Sequence, residues 1–273
     1  YIETDLRYVS NYKNGAWDEG TLTSESTITM SECAGVLQYA QTIFEGLKAY
    51  TTEDGRIVTF RPDLNAERLE ASAKRLEMPV FPKERFIDAV VETVKANAAY
   101  VPPFGSGATL YIRPYMIATN PVIGVKPATE YQFRIFCTPV GPYFKGGFST
   151  NPYVITRKYD RSAPLGTGIY KVGGNYAASL AAHQEAHDKG YSSEFYLDAK
   201  EKKYIDECGA ANFFGIKDNT YITPKSSSIL PSITNKSLMQ IAEDLGLKVE
   251  RRPISIDELE TFEEAGACGT AAV

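Results

Sequence analysis

Hydrophobic and polar positions alternate most plainly over Thr109 to Ala118, where a period of two puts Tyr111, Arg113 and Tyr115 on one face of a predicted strand and Leu110, Ile112 and Met116 on the other. One face of that strand is polar enough to meet a ligand. A second strand is predicted over Tyr131 to Val140. Upstream, Tyr50 to Phe60 reads as a hairpin: Thr52-Glu53-Asp54-Gly55 supplies the turn and Arg56 to Phe60 a β-prone run. Two helical repeats follow. The first, from about Leu64 to Glu77, aligns Leu69, Ala73 and Leu76 and is expected to stop at Pro79; the second, from about Lys83 to Ala99, repeats Phe86, Val90, Val91 and Val94 before Val101-Pro102-Pro103.

Gly141-Pro142-Tyr143-Phe144-Lys145-Gly146-Gly147 is dense in glycine and is read as a domain connection, with the boundary near 140 to 150. Beyond it, Tyr153 to Arg157 is expected as a strand, Arg161 to Gly168 as a loop, and Asn175 to Lys189 as a helix closed by Gly190. Short strands are predicted over Glu194 to Asp198, Lys203 to Asp206 and Asn212 to Ile216. A helix from about Thr234 to Leu245, with Leu238, Ile241, Ala242 and Leu245 inward, precedes a strand near Leu247 to Arg251. The elements do not keep an even βαβ rhythm, so the pattern favours two α+β domains.

The chain's 273 residues suit two cores. With 43% hydrophobic and 23% charged residues it has the composition of a globular protein, and a net charge of -5 with scattered basic residues gives no footprint for nucleic acid or anionic lipid. Small molecules are the expected partners. Cys33, Cys137, Cys208 and Cys268 lie far apart, with neither a disulfide framework nor zinc-ligand spacing, which fits a reducing cytoplasm. No apolar run approaches the roughly 20 residues of a membrane span, and Tyr1-Ile2-Glu3-Thr4-Asp5 lacks the blocks of a signal peptide. The first residue is not Met, so a preceding segment, including one directed to mitochondria, stays open.

Chemistry enters at Lys171-Val172-Gly173-Gly174-Asn175-Tyr176-Ala177-Ala178-Ser179. A lysine used for Schiff-base chemistry needs close backbone approach and a lowered proton affinity, and small neighbours permit both. Alone, a lysine beside two glycines is more often a solvated surface residue. The whole string, however, resembles the K-x-G-G-N-Y motif of class IV aminotransferases, and the other segments resemble that family in order from about residue 36 to 273. The specific likeness is to the branched-chain amino-acid aminotransferases.

That resemblance implies a two-domain fold-type IV enzyme dependent on pyridoxal 5'-phosphate. It would have a smaller N-terminal α/β domain (1–140), an interdomain loop (141–150) and a larger C-terminal cofactor domain with a barrel-like sheet (151–273), its C-terminal end incomplete because family members usually continue further. Lys171 would carry the cofactor. Glu207, in Tyr204-Ile205-Asp206-Glu207-Cys208-Gly209-Ala210-Ala211-Asn212-Phe213-Phe214, would pair with the protonated pyridine nitrogen and keep the ring an electron sink. Tyr176 matches the tyrosine on the phenolic oxygen. The phosphate would be met by Arg68, in Asn65-Ala66-Glu67-Arg68-Leu69, by Thr270, and by the free N–H groups of the turn Leu230-Pro231-Ser232-Ile233-Thr234 before a helix. Ser232 stands where the family's L-P-G-I-T turn has glycine, which leaves that turn's backbone open but not the roles of Ile233 and Thr234.

For substrate, Tyr39 and Phe44 in Tyr39-Ala40-Gln41-Thr42-Ile43-Phe44-Glu45-Gly46 match pocket residues, an apolar wall suited to Leu, Ile and Val. Tyr111 and Arg113 match the Y-x-R strand, which would offer both a wall and a cation for the side-chain carboxylate of glutamate. Ala271 and Ala272 of Gly269-Thr270-Ala271-Ala272 would receive the substrate carboxylate, and Tyr143 is a candidate loop contributor. The implied reaction is ping-pong transamination of branched-chain amino acids with 2-oxoglutarate, by a homodimer. A D-amino-acid aminotransferase or aminodeoxychorismate lyase of the same fold is the alternative, disfavoured by Tyr111-Ile112-Arg113 and by Gly269 to Ala272. His183-Gln184-Glu185-Ala186-His187 has the spacing of a metal pair but fits neither H-E-x-x-H nor H-x-x-E-H, and with no third ligand indicated no metal is expected.

Overall fold

The structure, a computed structural model, describes residues 1–141 and 150–271. They fall into two compact units, one of residues 1–141 with Lys171–Gly173, the other of residues 150–170 with 174–271.

The first unit is built on an antiparallel sheet. In chain order its elements are β1 (Arg7–Lys13), β2 (Ala16–Trp17), β3 (Thr21–Thr23), a five-residue helix α1 (Gly35–Tyr39), β4 (Thr42–Phe44), β5 (Leu47–Thr51), β6 (Ile57–Thr59), helices α2 (Pro62–Arg75) and α3 (Lys83–Ala96), β7 (Thr109–Ala118) and β8 (Tyr131–Val140). The strands run in the order β2-β1-β8-β7-β5-β6, with β3 added to β1 and β4 to β7. β7 and β8 pair along their whole length, from Thr109 opposite Val140 to Ala118 opposite Tyr131. As the alternation predicts, Leu110, Ile112 and Met116 are fully buried while Tyr111, Arg113 and Tyr115 are half-buried on the other face. The core joins those residues to Leu69 and Ala73 of α2, Phe86, Val90 and Val94 of α3, and Phe133, on which Phe81 stacks at 4.0 Å.

Both helices show local logic. α2 opens with Pro62, whose missing N–H costs nothing in a first turn, and carries Asp63 at its start and Lys74 and Arg75 at its end, complementing the helix dipole. It ends earlier than expected: Leu76 caps it and Glu77 adopts a left-handed φ of 52°, so Pro79 is not the stop. α3 also ends early, at Ala96, and a 3-10 turn over Ala98–Tyr100 continues the chain. Val91 lies on its exposed side, because Ala89, Val90 and Val94 already fill the inward stripe.

The second unit contains β9 (Tyr153–Thr156), helix α4 (Gly173–Asp188, its first residue counted with the first unit), β10 (Ser193–Leu197), β11 (Ile205–Cys208), β12 (Ala211–Lys217), β13 (Thr220–Pro224), helix α5 (Ile233–Asp244), β14 (Lys248–Arg252) and β15 (Glu264–Cys268). Its curled half-barrel sheet runs β14-β13-β12-β11-β10-β9, with β15 also paired to β12. β9/β10 and β13/β14 are parallel and the other pairs antiparallel. One face buries Leu197, Ile205, Cys208, Phe213, Ile222 and Ile254 together.

α5 departs from expectation in which face turns inward. Ala242 is buried, but Ile241 and Leu245 are exposed and Leu238 is only half-buried. Asn235 decides the rotation: buried, its amide donates to Asn212 Oδ1 (3.3 Å) and Thr223 Oγ1 (2.9 Å), and its Oδ1 accepts from the Tyr221 hydroxyl (2.7 Å). Seven residues separate Asn235 from Ala242, so both share a face that excludes Ile241. α4 likewise begins at Gly173, ahead of the expected Asn175.

Candidate functional site

In the first unit, Lys171 is fixed by its main chain. Its N–H donates to Ser72 Oγ on α2 (2.9 Å), and its carbonyl accepts from the Phe44 N–H (3.1 Å). Val172 then makes an isolated antiparallel bridge with Ile43 of β4. The Cα of the lysine is therefore placed by the edge of a sheet, independently of what its amine does. That amine lies over the Phe44 ring, 4.7 Å from the centroid. The Arg113 guanidinium lies at the same distance, 4.7 Å, from the same ring and 5.2 Å from the Tyr111 ring. Arg113 Nη2 also donates to the Tyr111 hydroxyl (3.0 Å). Phe44 thus meets two cations, each attracted by the negative charge of an aromatic face.

Arg113 Nε is buried with no hydrogen-bond partner among the described residues. A buried donor left unmet costs about 1–3 kcal/mol, which an acceptor on a bound anion would relieve. Gly46 makes room for this group: a Cβ there would fall 2.2 Å from the Tyr111 hydroxyl. Lys48 of β5 stands opposite Tyr111 in register, and burial pulls its proton affinity below the ordinary lysine range.

Arg68 lies on α2, one turn before Ser72, and Tyr39 on α1. Arg68 pairs side-on with the fully buried Glu45, Nε to Oε1 (2.8 Å) and Nη2 to Oε2 (2.7 Å). Asn65 Nδ2 adds a bond to Oε2 (2.8 Å). The edge of Arg68 that suits a bidentate anion therefore faces a carboxylate. Tyr39 closes α1, is exposed, and donates its hydroxyl to the Ile123 carbonyl.

In the second unit the sheet register builds a row. Glu207 of β11 pairs with Asn212 of β12, which pairs with Cys268 of β15, so the three share one face. Glu207 is 2% exposed and hydrogen-bonded on both oxygens. Oε1 accepts from the Leu230 N–H (2.6 Å) and Asn212 Nδ2 (3.3 Å), and Oε2 is ion-paired with Arg161 Nε. The strand-turn-strand expected around Glu207 is present, but its carboxylate belongs to a buried network, not to a wet turn. Burial pushes the Cys268 thiol up to about 12 and Cys208 well above its usual range, so neither is a thiolate near neutrality and neither competes as a nucleophile.

Leu230 precedes α5, whose start faces the same loop. Ser232 is extended (φ -71°, ψ 131°) and its Oγ accepts the Asn235 N–H, so the residue in the family's glycine position serves as a helix cap. No hydrogen bond from the N–H of Ile233 or Thr234 is present among the described residues, and such first-turn groups favour an anion. Thr270, half-buried, and Ala271, exposed, follow Cys268 by two and three residues. Tyr176 is half-buried on α4. Tyr143 and Ala272 lie outside the described residues.

Lys171, Phe44, Tyr111 and Arg113 thus gather in one unit, and Glu207, Leu230 and the α5 N-terminus in the other. The donors suit a phosphorylated aromatic aldehyde: a lysine amine to bond the aldehyde carbon, a buried carboxylate for a ring nitrogen, and helix N–H groups for phosphate. His183 Nδ1 lies 3.2 Å from the buried Glu194, and no group of three or more metal-ligating side chains occurs among the described residues. No helix among them is long and apolar enough to cross a membrane. Sequence reasoning passed over Glu45, Asn65 and Asn212, although each sits inside a recognised string, and it missed Ser72 and Arg161.

Comparison with known proteins agrees with this chemistry. The profile of the family described as amino-transferase class IV matches residues 42–273. A Helicobacter pylori (strain J99 / ATCC 700824) protein described as branched-chain-amino-acid aminotransferase is 54% identical over 276 residues, covering 100% of this chain and 81% of its own length. The Haemophilus influenzae protein of the same description is also 54% identical, over 280 residues, with the same coverage. Among solved structures, the branched-chain amino acid aminotransferase of Escherichia coli superposes with a TM-score of 0.84 at 27% identity, over 99% of this chain and 84% of that one. The Thermobaculum terrenum enzyme of the same description, in its PLP-form (holo-form), superposes at 0.82 and 25% identity, over 100% and 84%. A family profile over most of the chain and two relatives at 54% identity leave one assignment: the chain belongs to the class IV aminotransferases and, within them, to the branched-chain-amino-acid aminotransferases.

Proposed function

We propose that the chain catalyses reversible, ping-pong transamination of L-leucine, L-isoleucine and L-valine with 2-oxoglutarate, giving the branched-chain 2-oxoacids and L-glutamate. The observation that carries the reading is the Lys171 amine over Phe44, with Arg113 on the same ring and an unmet Arg113 donor beside it. Pyridoxal 5'-phosphate, held through Lys171 until the substrate amine displaces the lysine, would supply the electron sink that makes the substrate Cα proton acidic.

The residues of the chain divide the remaining work. The freed Lys171 amine takes the proton from the substrate Cα and would deliver it to C4′ of the cofactor, as general base and then acid, with the reverse transfer in the second half-reaction. Its main-chain hydrogen bonds to Ser72 and Phe44 keep the Cα of the lysine still while the amine moves. Glu207 holds a positive charge on the ring nitrogen, and Tyr176 meets the phenolic oxygen. Ile233, Thr234 and Thr270 would meet the phosphate, with Arg68 adding charge, while Leu230, whose N–H is held by Glu207, would serve the cofactor beside that carboxylate. Phe44 and Tyr111, with Tyr39, form the apolar wall for branched side chains. Arg113 receives the side-chain carboxylate of glutamate, so one pocket takes both donors in turn. Ala271, with Ala272 and Tyr143, serves the substrate carboxylate and the pocket mouth.

The proposal extends to a homodimer, supported by the apolar side chains that Ile123, Val125 and Leu165 expose, and to a cytoplasmic location, supported by four free cysteines. Lys171→Ala tests the core of the reading. Glutamate formation from L-leucine and 2-oxoglutarate should vanish together with the visible band of lysine-bound cofactor; turnover that survives the substitution removes Lys171 from the mechanism.

A further inference from the structure

Arg161 has no part in the reading above, yet it is a deeply buried cation of the second unit with three polar partners. Its side chain is 6% exposed. Nε is ion-paired with Glu207 Oε2, and Nη1 donates to two main-chain carbonyls, Gly168 O (3.1 Å) and Ser228 O (2.9 Å). Those carbonyls belong to segments that touch. A Cβ on Gly168 would fall 2.2 Å from Ser228 O and 2.8 Å from Ser228 C, so only glycine allows the approach. Gly168 lies three residues before Lys171 in sequence, and Ser228 two before Leu230, whose N–H holds the other oxygen of Glu207. One guanidinium therefore joins the segment leading to the lysine, the loop leading to α5, and the carboxylate itself.

We propose that Arg161 is a positioning residue: through its ion pair and its two carbonyl bonds it sets the orientation and charge of Glu207 and fixes the Gly168–Ser228 contact. The proposal rests on Glu207 acting on the ring nitrogen, as in the function proposed above. A carboxylate 2% exposed is poorly solvated and stays ionised only with charge or hydrogen bonds to hold it. Leu230 and Asn212 serve Oε1; for Oε2, Arg161 supplies the formal positive charge. Among the described residues, titratable groups near the pair include Glu194 and Tyr196 of β10 and Asp206 and Cys208 of β11. None of these four side chains is a cation, so none of them replaces the guanidinium.

Arg161→Met and Arg161→Lys separate positioning from simple stitching. In the protein without cofactor, thermal unfolding is followed between about pH 5 and pH 8. In Arg161→Met the Glu207 carboxyl is left buried without its cation, so its folded-state proton affinity rises above that of the unfolded chain. Stability should then be fullest at the acid end and fall as pH rises, with a slope steeper than that of wild type, where burial raises the Asp206 carboxyl. In the loaded enzyme, the pH midpoint of the cofactor band should move by about one unit or more, and kcat should fall at least about tenfold with KM for L-leucine unchanged.

Arg161→Lys restores the charge but cannot serve both carbonyls and Oε2 with a planar fork. It should keep the wild-type midpoint while lowering kcat, and it carries the test if Arg161→Met does not fold. Either variant overlaying wild type in both midpoint and kcat, whatever its melting temperature, overturns the proposal and leaves Arg161 a structural staple. Failure of the functional reading looks different: the wild-type band would then be unaffected by Lys171→Ala, while the pH slope of the cofactor-free Arg161→Met protein would still report the pair.

Discussion

Each unit of this chain buries one glutamate against one arginine, and the two pairs are built from similar parts to different ends. Glu45 and Glu207 are 0% and 2% exposed at the side chain, and their arginines 10% and 6%. Each carboxylate also takes an asparagine amide, from Asn65 or Asn212, and a main-chain N–H, from Gly46 or Leu230. Arg68, however, gives Nε and Nη2 to the two oxygens of one partner, whereas Arg161 gives Nε to the carboxylate and Nη1 to two carbonyls of other segments. The first pair joins β4's end to α2. The second couples a charge to the course of the chain, so disturbing it should be felt in the chemistry as well as in stability.

The sharpest way to break the comparison is to remove Arg68. Arg68→Ala strands Glu45 at zero exposure, and a buried pair broken on one side costs about 3–5 kcal/mol. Urea unfolding should show that loss, and Glu45→Gln combined with Arg68→Met should recover part of it, because no buried charge then remains. A double substitution as unstable as Arg68→Ala would mean that the pair acts through shape and not through charge.

A smaller effect is expected at Arg113, whose attachment is to rings and one hydroxyl. Arg113→Met should raise KM for 2-oxoglutarate about 10-fold or more, the worth of a hydrogen bond to a charged group, while KM for L-leucine changes little. Equal rises for both substrates, in steady-state assays, would dissociate Arg113 from the side-chain carboxylate.

Ser232 should give the smallest change. Losing the cap in Ser232→Ala costs about 1 kcal/mol in chemical unfolding, whereas Ser232→Gly costs only a few tenths. A larger loss for glycine than for alanine would show that the extended backbone of this residue matters more than its hydroxyl.

Much of this architecture could be read along the chain, and the failures have local causes. β7 and β8 run from Thr109 to Ala118 and from Tyr131 to Val140, the limits the alternation gives, because both are long, one face of β7 is wholly buried and one face of β8 is buried from Tyr131 to Cys137. The branched-chain assignment likewise follows from strings that stay contiguous in sequence. β1 to β4 and β13 were not foreseen: the first four are short or polar, and β13 is buried end to end, leaving no alternation to detect. On α5 the hydrophobic stripe points to Ile241 and Leu245, yet a polar residue, Asn235, fixes the rotation through partners on β12 and β13. Arg161 is harder still. It lies in Arg157-Lys158-Tyr159-Asp160-Arg161, where three of five residues are basic, and nothing in their order marks which guanidinium goes inside.

The bond between the Lys171 N–H and Ser72 Oγ joins residues 99 positions apart. Contacts of such long sequence range form slowly, since a large loop must close before they contribute. During synthesis, α2 leaves the ribosome well before the lysine does, and the reactive amine acquires its seat only when the late segment docks on early structure. Ordering of that amine is therefore a late folding event, and a half-made chain does not present it in its finished setting to cellular aldehydes.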